Sequence, residues 1–124
     1  MLAELLERWS QLEGDRCLPG SALEKTHINW LQIRGCKRLV RVFNHGGDIE
    51  SLAVIEHAVQ QAISDRPDWI ALHQLSPRQP KGTVEHAVTI SPTVTSNYSA
   101  SSAIGAEAWL SAYLQAIEAQ GGVQ

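Results

Sequence analysis

Little in this chain announces a chemistry. Cysteine is confined to Cys17 and Cys36, too far apart for a CxxC redox or zinc knuckle, so two reduced thiols are expected. There is no GxGxxG or GxxxxGK[ST] phosphate loop and no HxH or HExxH metal signature, so nucleotide-binding and metalloenzyme classes have no foothold. No metal and no cofactor are expected. No stretch of ~18 apolar residues is present to span a bilayer. The opening MLAELLERWSQLE carries acids where a signal peptide needs a basic start. The expectation is a cytoplasmic protein with no membrane partner. Strong net charge is missing as well. Ten Lys and Arg against thirteen Asp and Glu leave −3, which gives no global pull toward nucleic acid or anionic lipid.

What is present suffices for one folded unit. The chain has 124 residues, of which 44% are hydrophobic and 19% charged. That composition argues against disorder, and the length buries a core without help from metal or disulfide. A single α+β domain over residues 1–124 is expected.

Periodicity orders the elements. Leu2, Leu5, Leu6, Trp9 and Leu12 recur at three- and four-residue steps, predicting a helix over residues 2–13. Cys17-Leu18-Pro19-Gly20 reads as a turn. Two β-branched and aromatic runs, 27–33 and 38–43, flank Arg34-Gly35-Cys36-Lys37 and predict a hairpin. Asp48 then offers an N-cap to a helix over 49–64, with an apolar arc of Ile49, Leu52, Ile55, Ala58, Val59, Ala62 and Ile63. The plan repeats. Strands are predicted over 69–75 and 84–90, separated by the Pro-rich stretch 76–82, and a Ser/Thr-rich loop 91–102 leads to a helix over 103–120. The expected order is αββαββα, with one four-stranded, mainly antiparallel sheet and the helices packed on one face.

The last helix is too apolar for its place. Trp109, Leu110, Tyr113, Leu114 and Ile117 belong to an apolar arc of roughly 200°, twice what a surface helix needs. Either another part of the chain or a second subunit must cover it. That face is the expected interface, with the chain itself or another protein as partner.

Candidate chemistry is sparse. In Asn44-His45-Gly46-Gly47-Asp48, a strand runs into a helix N-terminus. There His45 could act as acid or base with Asp48 orienting it, although the glycines also make an ordinary turn. Glu56 falls inside an apolar arc; it reads either as a perturbed acid or as a rim residue paired with a base such as Arg41. His86 faces inward on its strand near His73, and a core histidine bonded to a carbonyl is the duller alternative. Arg34, Lys37, Arg38 and Arg41 crowd the first hairpin with Trp30 among them. They suggest phosphate contacts, but such cations also guard strand edges, and nucleic acid is not the expected partner of an acidic chain. Pro77-Arg78-Gln79-Pro80-Lys81 matches the minimal PxxP pattern and reads as a connector.

The balance points away from catalysis. The leading expectation is a non-enzymatic interaction or assembly protein that self-associates through the last helix; a structural subunit of a larger assembly, such as a virion or mobile-element component, fits. The alternatives are a small enzyme or ligand-binding domain at the 44–48 loop, and a nucleic-acid-binding accessory protein using the 34–41 hairpin.

Overall fold

The structure, a computed structural model, describes residues 2–23, 26–43, 46–78 and 83–121. The leucine–tryptophan stripe forms helix α1 (Leu2–Leu12), which buries Leu2, Leu6 and Trp9. Next come strands β1 (Cys17–Leu23), β2 (Thr26–Ile33), β3 (Cys36–Phe43) and the two-residue β4 (Gly46–Gly47), then helix α2 (Ile49–Ser64). The second half has strands β5 (Ile70–Arg78), β6 (Thr83–Ser91) and β7 (Tyr98–Ser102), then helix α3 (Gly105–Gly121).

The α+β class holds, but the single four-stranded sheet does not. Among the described residues there are two antiparallel sheets, one ordered β1-β2-β3-β4 and the other β5-β6-β7. Each expected hairpin gains a third long strand from a stretch that reads as loop. Cys17-Leu18-Pro19-Gly20 is part of β1 rather than a turn. As an edge strand it tolerates proline, and its register shifts between Leu18 and Ser21. The stretch 98–102 reads as loop because Tyr-Ser-Ala-Ser-Ser has little strand propensity; it pairs with β6 from His86↔Ser102 to Ile90↔Tyr98. The first hairpin closes through only two residues, Arg34 (φ 51°) and Gly35 (φ 82°). Both are left-handed, as a tight hairpin turn whose twist matches its strands requires.

The helices form the layer between the sheets. α1 and α2 pack on the first sheet, α3 packs on β6 and β7, and α3 also meets α1 and α2. Leu31, Val40 and Val42 from the first sheet and Val88 and Ile90 from the second are fully buried against them. At ~1.5–3 kcal/mol for each large apolar side chain removed from water, this shared core is the main stabilising term. Asn29, 1% exposed, donates to Leu18 O at 3.2 Å and lies 3.8 Å from Cys17 Sγ, tying β2 to β1. Among the described residues no helix is long and apolar enough to cross a membrane.

Candidate functional site

The apolar excess of α3 is covered from within. Leu110, Tyr113 and Leu114 are 0% exposed, Trp109 7% and Ile117 9%, because α3 has the second sheet on one side and α1 and α2 on the other. These five side chains offer a partner no surface, which corrects their expected role as an interface. Their layer position explains the roughly 200° arc.

Two of the four residues proposed for chemistry do come together. Glu56 on α2 and His86 on β6 converge on Gly105 at the start of α3. A Cβ there would run into the Glu56 carboxylate and lie 3.1 Å from His86 Nδ1. Glycine is what lets the three elements meet. His73 completes the group. Its ring stacks on His86 with centroids 5.1 Å apart, and His73 Nε2 and His86 Nδ1 are 2.9 Å apart. One of these nitrogens donates and the other accepts, so the accepting nitrogen carries no proton. Trp109 meets His73 edge-on at 5.5 Å. The cluster borders an open cavity of about 350 Å³ lined by Ile49, Leu52, Glu56, His86 and Ile104. A carboxylate beside paired imidazoles is a general acid–base kit. Among the described residues, no three His, Cys, Asp or Glu side chains group so as to hold a metal ion. Glu56 turns toward Gly105 and His86, while Arg41 sits in β3 with its backbone N–H donating to Ser51 Oγ at 3.0 Å.

The 44–48 loop lends less to chemistry. His45 and Asn44 lie outside the described residues. Asp48 is at the N-cap of α2 with φ −60° and ψ 148°, but its side chain makes no capping hydrogen bond. Gly47 pairs with Val42 as part of β4, and a Cβ on it would approach Arg41 O to 2.8 Å. The glycine therefore serves close packing onto β3.

Arg34, Lys37, Arg38 and Arg41 are all exposed. The register splits them. Lys37 and Arg41 stand opposite Gln32 and Ile28 on the outer face of the first sheet, whereas Arg38 stands opposite the buried Leu31 on the other. Arg34 borders a groove of about 440 Å³ with His57, Gln60, Gln61 and Ser64 of α2. Of the Pro-rich stretch, Pro77 and Arg78 extend β5, and residues 79–82 lie outside the described ones.

One polar cluster has no sequence signature. Glu13, just past α1, accepts from Trp9 Nε1 at 3.0 Å, from the Tyr113 hydroxyl at 2.5 Å and from Arg66 at 2.8 Å. Arg66 lies over the rings of Trp69 and Tyr113, at 4.8 and 5.5 Å. Burial alone would raise the Glu13 carboxyl, but the hydrogen bonds from Tyr113, Trp9 and Arg66 outweigh it and hold it below its ordinary value. Tyr113 is pushed up, by burial first and then by its bond to Glu13. Nearby, Arg16 donates to Asp65 at 2.9 Å, and this bond with that from Gln61 lowers the Asp65 carboxyl. The cluster clasps the ends of α1 and α2 to α3. Its members are 53 and 100 positions apart, so no local pattern betrays it.

The cysteines are free. Cys17 is fully buried, with its thiol raised to about 12 by burial, and Cys36 is exposed. The site geometry thus defines an α+β domain in which a carboxylate and two imidazoles meet at the start of α3 and a polar clasp ties the helices. Compared with known protein families, curated proteins and solved structures, the chain matches none.

Proposed function

We propose that the chain is a non-enzymatic assembly protein that associates with a second copy through the open edge of the second sheet, not through α3. The observation that carries this reading is β5. Ile70 is 69% exposed, Leu72 55% and Leu75 60%, and residues 70–77 contain no Asp, Glu, Lys or Arg. Among the described residues β5 is the terminal strand of its sheet. A terminal strand presents unpaired N–H and C=O groups to any strand that approaches, and proteins that stay monomeric guard such edges with charges, prolines or bulges; on β5 such guards are confined to its last two residues, Pro77 and Arg78. Two β5 strands related by a twofold axis can pair antiparallel and join two sheets into one, each copy giving the same contacts. Beside the edge, Ile70 and the fully exposed Val94 line a groove of about 530 Å³, which adds apolar area to the contact.

The test is light scattering across a concentration series, with Leu72→Lys as the variant. The wild type is expected to show a dimer that dissociates on dilution. The variant is expected to be monomeric with an unchanged circular dichroism spectrum and a stability within ~0.5 kcal/mol, as befits an exposed position. A wild type that stays monomeric at its highest soluble concentration would sink the reading.

A further inference from the structure

We infer that the outer face of the first sheet is a binding surface for single-stranded nucleic acid. The cross-strand pairs Leu18↔Trp30, Trp30↔Leu39, Ile28↔Arg41, Gln32↔Lys37 and Thr26↔Phe43 put all of these side chains on one face. That face is turned away from the helices, which cover the opposite side through Leu31, Val40 and Val42. It presents two aromatic rings to solvent, Trp30 at 44% and Phe43 at 42% exposure, with Leu39 at 38% between them. Lys37 and Arg41 stand on the same face, and Arg34 extends from the turn at its end.

Charge selects the partner. Residues 26–43 hold Arg34, Lys37, Arg38 and Arg41 and no carboxylate, in a chain whose net charge is −3. Positive charge is thus concentrated on the strand pair that also carries the exposed rings, and the rest of the molecule repels a polyanion and restricts it to this face. Phe43 lies four residues beyond Leu39 on β3, so the Trp30 and Phe43 rows are about 14 Å apart at ~3.4 Å per residue, with Arg41 between them. Flat aromatic side chains flanking a cation on a sheet surface match the alternation of bases and phosphates along a single strand, and stacking is tolerant of sequence. A duplex hides its base faces and could use the cations alone. This surface shares no residue with the β5 edge, so the two proposals stand or fall separately.

The experiment is fluorescence anisotropy of a labelled oligo(dT) of about 16 nucleotides, the upper end of single-fold site sizes, titrated with the full chain at several salt concentrations. The expected result is binding at low salt whose log K falls against log salt with a slope of about −1.4 or steeper, from ~0.7 per phosphate neutralised by Lys37 and Arg41. Lys37→Glu with Arg41→Glu, both exposed and tolerant of change, should abolish it. Trp30→Ala should weaken it about 10-fold. No binding at low salt would overturn the proposal. So would equal affinity for a duplex of the same length, an affinity untouched by Trp30→Ala in a sample with wild-type circular dichroism, or tighter binding to poly-glutamate than to oligo(dT), which would make the partner an acidic protein.

Discussion

The edges of the two sheets are treated differently. In the first, β1 at one edge carries no charge but has Pro19 and a register shift between Leu18 and Ser21; at the other edge β4 pairs with the last two residues of β3, Ser51 takes the Arg41 N–H, and the open remainder of the strand carries Lys37 and Arg38. In the second, β5 runs nine residues along the open edge with apolar side chains exposed and no charge over 70–77. Cations on an edge cost little when solvated and much when a second strand tries to bury them, so the first edge resists pairing and the second invites it. The lesson is that exposed apolar residues mean different things by placement. On a sheet face bordered by cations they would suit a charged, aromatic ligand; along a strand edge guarded only at its end they would suit another strand.

Substitutions in the core, in the clasp and on β3 are expected to perturb the two sheets to a decreasing extent. The largest effect is expected from Trp9→Ala. Trp9 is fully buried and meets Tyr113 edge-to-face at 5.8 Å, so truncation should cost about 3–5 kcal/mol, read by urea denaturation. Hydrogen exchange on the same variant should show both sheets losing protection together. If the second sheet opens alone, the halves are separate units and the difference between edges reflects local stability rather than partner choice.

Glu13→Gln comes next, at about 1.5 kcal/mol for a hydrogen-bonded charge facing Arg66. Because the folded-state carboxyl is held below its ordinary value of 4.5, its contribution is present in full above that pH and disappears as pH falls through the folded value. Wild-type and variant stabilities measured against pH should therefore converge in acid. A gap that persists there would show that the clasp acts through shape and not charge. The smallest expected change is Arg38→Thr, which thins the guard on β3. Stability should shift by less than ~0.5 kcal/mol, while light scattering on the Leu72→Lys background should reveal weak new association through the first sheet. Its absence would mean that β4 and Ser51 already close that edge.

Much of the fold is legible in the sequence, and the misses share a cause. α1 and α2 follow from helical periodicity, and α2 occupies Ile49–Ser64 as its pattern predicts. β2, β3 and β6 follow from alternation and β-branched content. β1 and β7 do not, since Pro19 and the serines around Ala100 are in strands only because a neighbour's backbone pairs with them. Sheet number was decided by tertiary packing, since the two hairpins share no ladder and lie against different helices. Ile49 shows the limit of arc arithmetic, since it lies on the apolar side of α2 yet is 88% exposed at the helix start. Of the candidate site, Glu56 is recognisable as misplaced in an apolar arc and His86 as inward-facing, but their meeting at Gly105 is tertiary. Glu13, Arg66 and Tyr113 look like ordinary surface or core residues until three helices bring them together.

The clasp also bears on the order of events when the chain folds. The β2–β3 and β5–β6 hairpins are local, whereas Tyr113 and Glu13, which meet in the clasp, lie 100 positions apart in the sequence. Closing so long a loop is an entropic cost that earlier contacts must first offset. The clasp is therefore expected to form late, and an interaction absent from the transition state governs how fast a protein comes apart more than how fast it assembles. On that order of events Glu13, Arg66 and Tyr113 would act as a latch on the native state, and loosening them would shorten its lifetime while leaving the path into it nearly unchanged.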